Sequence, residues 1–249
     1  LVGFLILKRI FEKESVSLKE LDSLFIHIVV GSIIGARLGH CFFYDFNHFI
    51  ANPIEILFIW QGGLASHGGA IGIMVALVLY TKRVSSKSFL WTADRLLITV
   101  ALAAALIRFG NIMNHEIYGH ITDLPWGFRF ITNITAWMNG AEAIHTDPRH
   151  PTGLYEAFGY LIVLGSMLWL YFKKIDKLYE GFLASFFLIT LFTVRFVVEF
   201  WKEVQSPFEE GMLLNMGQLL SIPLIIAGFV ILIITYRRKI PALAPTKSK

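Results

Sequence analysis

Long apolar segments recur along this 249-residue chain, and they restrict its fold more than any other feature. Most of these segments are about 20 residues long, the length of helix that crosses a hydrocarbon core of about 30 Å. The mean hydropathy of +0.63 and the 55% share of hydrophobic residues are rare in soluble domains. Lipid accommodates only helices and closed barrels, and no alternating barrel pattern is present, so we predict helical spans.

The apolar segments predict an all-α, polytopic membrane bundle of seven transmembrane helices. Residues 1–7 are apolar but too short to span, and they lack the features of a signal peptide. We expect them to be the end of a first helix that is truncated here and stops near Phe11. The other predicted spans are residues 24–43, 68–81, 90–108, 154–172, 182–200 and 214–236, and residues 54–60 could add to the third helix.

The basic residues predict how these helices are oriented. Fifteen of the 22 lysines and arginines fall in alternate connections, on one side of the membrane. By the positive-inside rule that side is cytoplasmic, and the C-terminus lies there as well. The residues are Lys8, Arg9, Lys13, Lys19, Lys82, Arg83, Lys87, Lys173, Lys174, Lys177, Arg237, Arg238, Lys239, Lys247 and Lys249.

We therefore expect one integral membrane domain over residues 1–240 and a cytoplasmic tail over residues 241–249. A long outward loop, residues 112–152, separates the fourth and fifth helices. Loops of this length are usually functional or disordered. The aromatic content predicts that this loop is ordered and lies partly on the membrane surface. The aromatic residues are Trp126, Phe128, Phe130 and Trp137.

Four arginines lie within or at the ends of the apolar spans: Arg37, Arg95, Arg108 and Arg195. Ionisable groups are costly in a membrane and by default mark a functional site. Arg95, with its neighbour Asp94, lies near the cytoplasmic end of its span. Snorkelling to the surface would account for these two residues.

Further polar residues gather at the outward ends of the helices. His67 lies in a glycine-rich segment, residues 62–72, at the start of the third helix, where free N–H groups favour an anion. Its ring could accept a proton or simply hydrogen-bond a loop. The glycines could bring the backbone close to a ligand or pack helices together. Thr152 is the expected N-cap of the fifth helix, with Glu156 one turn further on.

Two more clusters contain arginine. Arg108 and Asn111 share a face if the fourth helix continues, and Glu116 follows closely. Arg195 and Glu199 are four residues apart and can pair along the sixth helix, either as part of a site or as a structural ion pair. Arginine binds phosphate through paired hydrogen bonds, so an anionic headgroup is the simplest common ligand.

Other chemistries find little support in the sequence. His115 and Glu116 resemble the start of a zinc-protease motif, but the second histidine position is Gly119 and His120 comes one residue late. The single cysteine, Cys41, excludes an internal disulfide framework. The net charge of +4 follows from the helix flanks and does not indicate nucleic acid. We therefore expect no zinc site and no nucleic-acid partner.

Six motifs, in order along the chain, resemble the prolipoprotein diacylglyceryl transferase family. Residues 108–120 read RFGNIMNHEIYGH, close to the family signature GRIGNFINGELYG. The other motifs are GARLGH at 35–40, HGG at 67–69, RHP with LYE at 149–156, an arginine with VEF at 195–200, and MGQ at 216–218. Together they cover nearly the whole chain.

The resemblance implies a transferase of the bacterial plasma membrane, with seven helices and an active site open to the outer leaflet. Such enzymes move the diacylglyceryl group of phosphatidylglycerol to the lipobox cysteine of a prolipoprotein signal peptide, and they release glycerol phosphate. The resemblance implies that no metal and no cofactor is required. Matching by motif implies that the catalytic residues are His67, Arg108 and Arg195. It implies that the substrate-binding residues are Arg108, Asn111, Glu116, Gly119 and Glu199.

The chain departs from the family pattern at four positions: Ile107 and His115 replace glycines, Leu191 replaces a tyrosine, and Lys202 replaces an arginine. A tyrosine of the family's first helix would precede Leu1. Two other function classes fit the sequence less well. A transporter of an anionic solute would carry polar groups through the full membrane depth and often internal repeats. An intramembrane protease would need a GxSxG or HExxH motif, and neither occurs.

Overall fold

The computed structural model describes residues 1–203 and 211–243, and within these stretches the regular elements are helices. The all-α prediction is confirmed for this part of the chain. The α-helices are α1 (Val2–Lys13), α2 (Leu18–Phe43), α3 (Phe46–Ala51), α4 (Ser66–Arg83), α5 (Phe89–Met113), α6 (Ile134–Met138), α7 (Thr152–Lys174), α8 (Phe182–Val198) and α9 (Met216–Arg238). Short 3-10 turns are Pro53–Leu57, Ile59–Gln61, Ile175–Lys177 and Glu199–Trp201.

Five of the described helices are long and apolar enough to cross a membrane: α2, α5, α7, α8 and α9. They coincide with the second, fourth, fifth, sixth and seventh predicted spans. The first and third predicted spans also form helices, α1 and α4, but these do not reach the same length and hydropathy. The structure therefore supports a polytopic helical membrane protein, and the count of seven spans stays a prediction.

Three predicted details of the helix boundaries are wrong. The helix α2 begins at Leu18, well before residue 24, because the Ser17 hydroxyl caps it by accepting the Lys19 N–H at 3.3 Å. Residues 54–60 do not extend α4 and instead form the first two 3-10 turns. Thr152 is the first residue of α7, not its N-cap, and its hydroxyl donates to the Ile117 carbonyl at 3.1 Å.

Several helices end in a turn that carries basic side chains. Lys82 and Arg83 occupy the last turn of α4, Lys173 and Lys174 that of α7, and Arg237 and Arg238 that of α9. Positive charge is favourable at these C-termini because the last carbonyl groups have no partner within the helix. The residues that predict orientation thus also stabilise the helix ends.

The described chain divides into two compact units, residues Leu1–Ala93 and Asp94–Leu243. In the first unit, α2 packs closely against α4 through facing glycines. A Cβ atom on Gly35 would lie 2.7 Å from the Gly72 Cα, and one on Gly39 would lie 2.7 Å from the Gly68 Cα. These glycines therefore allow two helices to pack closely, which is one of the two roles expected for the glycine-rich segment.

Arg37 organises the connection between these two helices. Its Nε donates to the Ile56 carbonyl at 2.9 Å and its Nη1 to the Gly62 carbonyl at 2.7 Å. Its guanidinium carbon lies 4.9 Å from the centre of the Phe49 ring. Only 5% of Arg37 is exposed, so the contacts that surround it give it a structural role in holding this connection.

In the second unit, Asp94 and Arg95 are fully buried, which contradicts the prediction that they snorkel to the surface. The Asp94 carboxylate accepts the Gly181 N–H and the Ala184 N–H, each at 2.8 Å, and so caps the start of α8. Arg95 Nη2 donates to the Ala242 carbonyl at 2.8 Å. Snorkelling fails here because backbone groups of the same unit provide both side chains with buried partners.

The segment between α5 and α7 has a defined local structure, and its assignment as an outward loop stays a prediction. Isolated bridges pair Phe128 with Arg149 and Ile131 with His145, and α6 lies between them in sequence. Phe130 is 1% exposed and anchors the segment in the second unit. The other three predicted aromatics are exposed, as a surface lying on lipid requires, and their membrane contact stays a prediction.

Candidate functional site

The candidate site in the second unit begins on the last turns of α5. This helix continues past Arg108 to Met113, so Arg108 and Asn111 do share a face, as predicted. Arg108 Nη1 donates to the Asn111 Oδ1 at 3.2 Å, and Arg108 Nε lies 3.0 Å from the Glu156 Oε2. The Arg108 side chain is 13% exposed, and its Nε and Nη1 are both engaged by protein groups.

Glu156, one turn into α7, is the buried partner that holds Arg108. Its carboxylate is fully buried, and the Tyr160 hydroxyl donates to its Oε1 at 3.2 Å. Lys202 Nζ lies 3.4 Å from its Oε2. A carboxylate with these three partners is well compensated for its removal from water.

The same lysine joins a second carboxylate, which belongs to the other predicted arginine. Lys202 Nζ lies 3.0 Å from the Glu199 Oε1, and Arg195 Nε lies 3.9 Å from the same oxygen. Asn215 Nδ2 donates to the Glu199 Oε2 at 3.3 Å. Arg195 is 29% exposed at the side chain, the most accessible cation of this network. The predicted pairing of Arg195 with Glu199 is confirmed, as a long contact.

Gly217, in the first turn of α9, makes room for Glu199. A Cβ atom at this position would overlap the carboxylate oxygen of Glu199. The MGQ motif therefore has a steric reason for its glycine. Gln218 closes a capping box with Asn215, which places the start of α9 beside the buried carboxylate.

Glu116 is held by amides at the exit from α5. Asn111 Nδ2 donates to the Glu116 Oε1 at 2.7 Å, and Asn114 Nδ2 lies 3.4 Å from the same oxygen. The turn is tight, because His115 and Ile117 have φ angles of +54° and +58°. Such angles are rare for side chains other than glycine, and for a β-branched isoleucine they are costly.

Gly119 lies where residues 108–120, the signature segment, meet the start of α7 and the end of α8. Its N–H donates to the His150 carbonyl at 2.9 Å, and it forms a bridge with Lys202. A Cβ atom on Gly119 would lie 2.8 Å from the Thr152 Cγ2 and would overlap the Trp201 carbonyl. The structure accounts for this glycine by close backbone packing, and its role in substrate binding stays a prediction.

His67 belongs to the first unit, in the opening turn of α4, and is exposed. Its ring centre lies 5.3 Å from that of Phe43 and 5.7 Å from that of Tyr44. No described residue forms a hydrogen bond with its ring. The structure therefore does not support the alternative that His67 only hydrogen-bonds a loop. Both ring nitrogens are available to a ligand.

Oxygen and nitrogen ligands for a metal do not converge in the described residues. Over residues 1–203 and 211–243, no three side chains of histidine, cysteine, aspartate or glutamate are close enough to hold an ion together. The polar network consists instead of arginine, lysine, carboxylate and amide groups. Such groups recognise an anion by charge and by directed N–H donors.

Comparison with known proteins agrees with this chemistry. The family model described as prolipoprotein diacylglyceryl transferase matches residues 1–234. The chain belongs to the prolipoprotein diacylglyceryl transferase family.

Relatives named phosphatidylglycerol–prolipoprotein diacylglyceryl transferase match nearly the whole chain. The one from Porphyromonas gingivalis is 45% identical over 94% of this chain and 83% of its own length. The one from Tolumonas auensis is 41% identical over 96% and 88%, and the one from Chloroherpeton thalassium is 37% identical over 93% and 82%. These similarities give no support to the alternative of an anion transporter.

The structure explains how this diacylglyceryl transferase family member tolerates two of its departures from the family pattern. His115 replaces a glycine at a positive φ angle, and its Nδ1 accepts the Ile131 N–H at 3.1 Å. That hydrogen bond offsets part of the strain of the turn. Lys202 replaces an arginine and is buried between two carboxylates, where a single ammonium is sufficient.

Sequence reasoning missed the two residues that connect the site. Glu156 was noted as the residue one turn into the fifth helix and as the last residue of the LYE motif, without a role in the site, and Lys202 only as a departure from the family. A usable signal was present, because both are charged residues at the ends of apolar spans. Their partners could not be predicted, since α7 and α8 meet only in the folded unit.

Proposed function

We propose that this chain transfers the diacylglyceryl group of phosphatidylglycerol to the lipobox cysteine of prolipoproteins in the bacterial inner membrane. The products are a thioether-linked lipid and glycerol phosphate. The observation that carries the proposal is the family match over residues 1–234, together with relatives of 37–45% identity that bear this name. The arginine–carboxylate network fits the same reaction, because its leaving group is a phosphate.

Arg108 and Arg195 are proposed to bind the phosphate and to stabilise its charge as the bond breaks. Each is anchored to a carboxylate through Nε, by Glu156 or by Glu199. Among described residues, Arg108 Nη2 and both terminal nitrogens of Arg195 have no partner. These N–H groups are left for a ligand, and anchored donors need little reorganisation during the reaction.

The remaining predicted binding residues would orient the headgroup or the arginines. Asn111 and Glu116 form a hydrogen-bonded pair beside Arg108, and the exposed Glu116 carboxylate can accept from glycerol hydroxyl groups. Glu199 is buried and acts on Arg195. Gly119 contributes by allowing the backbones around it to approach.

His67 is proposed as the base that takes the thiol proton, since the thiolate is the nucleophile and a free thiol has a pKa of about 8.5. The thiolate sulfur forms a bond to the C3 carbon of the glyceryl group. The C3–O bond breaks, and its electron pair leaves on the phosphate oxygen of glycerol phosphate. The reaction needs no oxidant or reductant.

The proposed topology follows the basic flanks. Seven spans, α1 and α4 included, place the C-terminus in the cytoplasm and open the site to the outer leaflet. Residues 1–240 form the membrane domain, residues 112–152 the outward loop between the fourth and fifth helices, and residues 241–249 the tail. Cysteine labelling from each side, with residues placed in that loop and after α9, would test the assignment.

A transfer assay tests the function directly. The full chain, in liposomes containing phosphatidylglycerol, is incubated with a lipobox peptide. We expect a diacylglyceryl mass gain on the peptide cysteine and an equal amount of released glycerol phosphate. A peptide with cysteine replaced by serine should give neither product. Folded protein that produces neither from the cysteine peptide would contradict the proposal.

A further inference from the structure

We infer that Lys202 is a positioning residue for the transfer reaction, which holds the carboxylates of Glu156 and Glu199 together and so sets the spacing of Arg108 and Arg195. The inference rests on the proposed function, because the arginines are there the groups that bind phosphate. Lys202 itself is placed too deep to touch the substrate.

The first observation is burial. Lys202 is 5% exposed, and lysine is almost never buried without a partner. Its Nζ lies 3.4 Å from the Glu156 Oε2 and 3.0 Å from the Glu199 Oε1. One ammonium therefore fills the space between carboxylates that come from two different elements, α7 and the turn after α8.

The second observation is that each carboxylate also holds one arginine. The Glu156 Oε2 lies 3.0 Å from the Arg108 Nε, and the Glu199 Oε1 lies 3.9 Å from the Arg195 Nε. The same two oxygens that contact the lysine thus contact the arginines. Lys202 is the middle member of a continuous series of ion pairs that links Arg108 to Arg195.

Removing the ammonium would leave the two buried carboxylates to repel each other. Like charges in such a site are disfavoured, and a buried charge that loses its partner is strongly destabilised. The neighbouring cations, Arg108 and Arg195, would then be drawn toward the carboxylates and away from the phosphate. The expected damage is to the geometry of the arginines.

Loss of the Lys202 ammonium also changes the formal charge of the network. The ion-paired groups of the network, three cations and two carboxylates, carry a formal charge of plus one, and the neighbouring Glu116 carboxylate lowers the sum to zero. Replacing Lys202 by a neutral residue makes this sum negative by one unit. The site would then lose part of its attraction for an anionic headgroup.

The backbone explains how this lysine reaches its position. The His120 N–H donates to the Trp201 carbonyl at 2.9 Å, and Gly119 forms a bridge with Lys202. Because a Cβ atom on Gly119 would overlap the Trp201 carbonyl, only glycine permits this approach. The signature segment thus fixes the point from which the lysine side chain enters the network.

The test compares Lys202→Met and Lys202→Arg in the full chain, with transfer from phosphatidylglycerol liposomes to a lipobox peptide. We expect Lys202→Met to lower kcat by about 10- to 100-fold, because small misplacements of catalytic groups cost this much. The KM for the peptide should stay within about twofold, since uniform binding of the peptide is untouched. Lys202→Arg keeps the charge and should recover kcat to within about fivefold of wild type.

The matched control is Lys173→Met, at the exposed end of α7, which should leave kcat unchanged. The double variant Lys202→Met/Glu199→Gln removes one buried negative charge with the cation. It should melt at a higher temperature than Lys202→Met and still show a reduced kcat. This variant keeps the test open if Lys202→Met folds poorly.

The outcomes separate the two proposals. Wild-type kcat in folded Lys202→Met or in the folded double variant would overturn the role of Lys202 and leave the transferase intact. Equal loss in Lys202→Met and Lys202→Arg would also overturn it, because charge would then be irrelevant. Inactive wild-type protein would contradict the proposed function. In that case the melting temperatures of Lys202→Met and Lys202→Met/Glu199→Gln would still show whether Lys202 stabilises the two buried carboxylates.

Discussion

The two ends of α5 in the second unit both carry buried charge, yet they are built differently. At one end, Asp94 caps α8 and Arg95 donates to the Ala242 carbonyl, with both side chains fully buried. At the other end, Arg108 is anchored by Glu156 through one edge and remains 13% exposed. The first end is a closed structural junction, whereas at the second end no described residue pairs with the Arg108 Nη2. The difference teaches that an arginine in an apolar helix is a candidate for binding a ligand only when part of its guanidinium is left without a protein partner.

The largest effect should follow from removing the open arginines. Arg108→Ala and Arg195→Ala should each reduce kcat/KM by at least about 100-fold, as removal of one preorganised donor does elsewhere. Both variants should fold, because Lys202 still compensates Glu156 and Glu199. The measurement is initial transfer rate in liposomes together with a melting curve.

Arg237→Ala is the control for this pair, since Arg237 is an exposed basic residue in the last turn of α9. It should transfer at the wild-type rate. Near-normal turnover in Arg108→Ala or Arg195→Ala would break the distinction between the two ends of α5, and the phosphate would then have to bind elsewhere.

The closed end should show the opposite behaviour. Asp94→Ala removes the cap of α8 and leaves Arg95 without its neighbouring carboxylate, which should cost about 3–5 kcal/mol of stability. The transfer rate per folded molecule should stay the same. Denaturation in detergent and activity normalised to the folded fraction measure the two quantities. A variant of normal stability that had lost transfer would move Asp94 into the active site.

Much of this fold could be predicted from the sequence, because hydrophobic length and basic flanks act locally along the chain. The five long spans follow from such patterns, although the predicted fourth span stops at residue 108 whereas α5 continues to Met113. Local patterns fail where the partner is distant in sequence. Arg95 is near its helix end in sequence, but its acceptor is Ala242, far along the chain. Nothing local distinguishes an arginine that meets a distant carbonyl from one that reaches water.

The candidate site shows the same division. The arginines, Asn111 and Glu116 were predicted by motif, and the structure brings them together with Glu199 in one network only through two further residues, Glu156 and Lys202. The positions of Glu156 and Lys202 in the sequence carry no information about their contacts, because α7 and the turn after α8 meet through tertiary packing. His67 lies in the other unit, and its role as a base remains a prediction.

The smallest effect sharpens the comparison at a glycine. Gly217→Ala should stabilise α9 by its helix propensity, but the new Cβ atom overlaps the Glu199 carboxylate, which Lys202 and Asn215 hold in place. The carboxylate must shift, and the Arg195 that it anchors shifts with it. We expect kcat/KM to fall by about tenfold, which corresponds to about 1.4 kcal/mol. Gly165→Ala in α7 is the matched control.

A Cβ atom at Gly165 would meet nothing within 4 Å, so its substitution should add about 0.5–1 kcal/mol of stability and leave transfer unchanged. Kinetics and melting curves of the two variants would be measured side by side. If both alanine variants keep full activity, Glu199 can move without disturbing Arg195, and the open end of α5 tolerates loose anchoring. If only Gly217→Ala loses activity, transfer depends on the position of the Glu199 carboxylate, as expected if this carboxylate anchors Arg195.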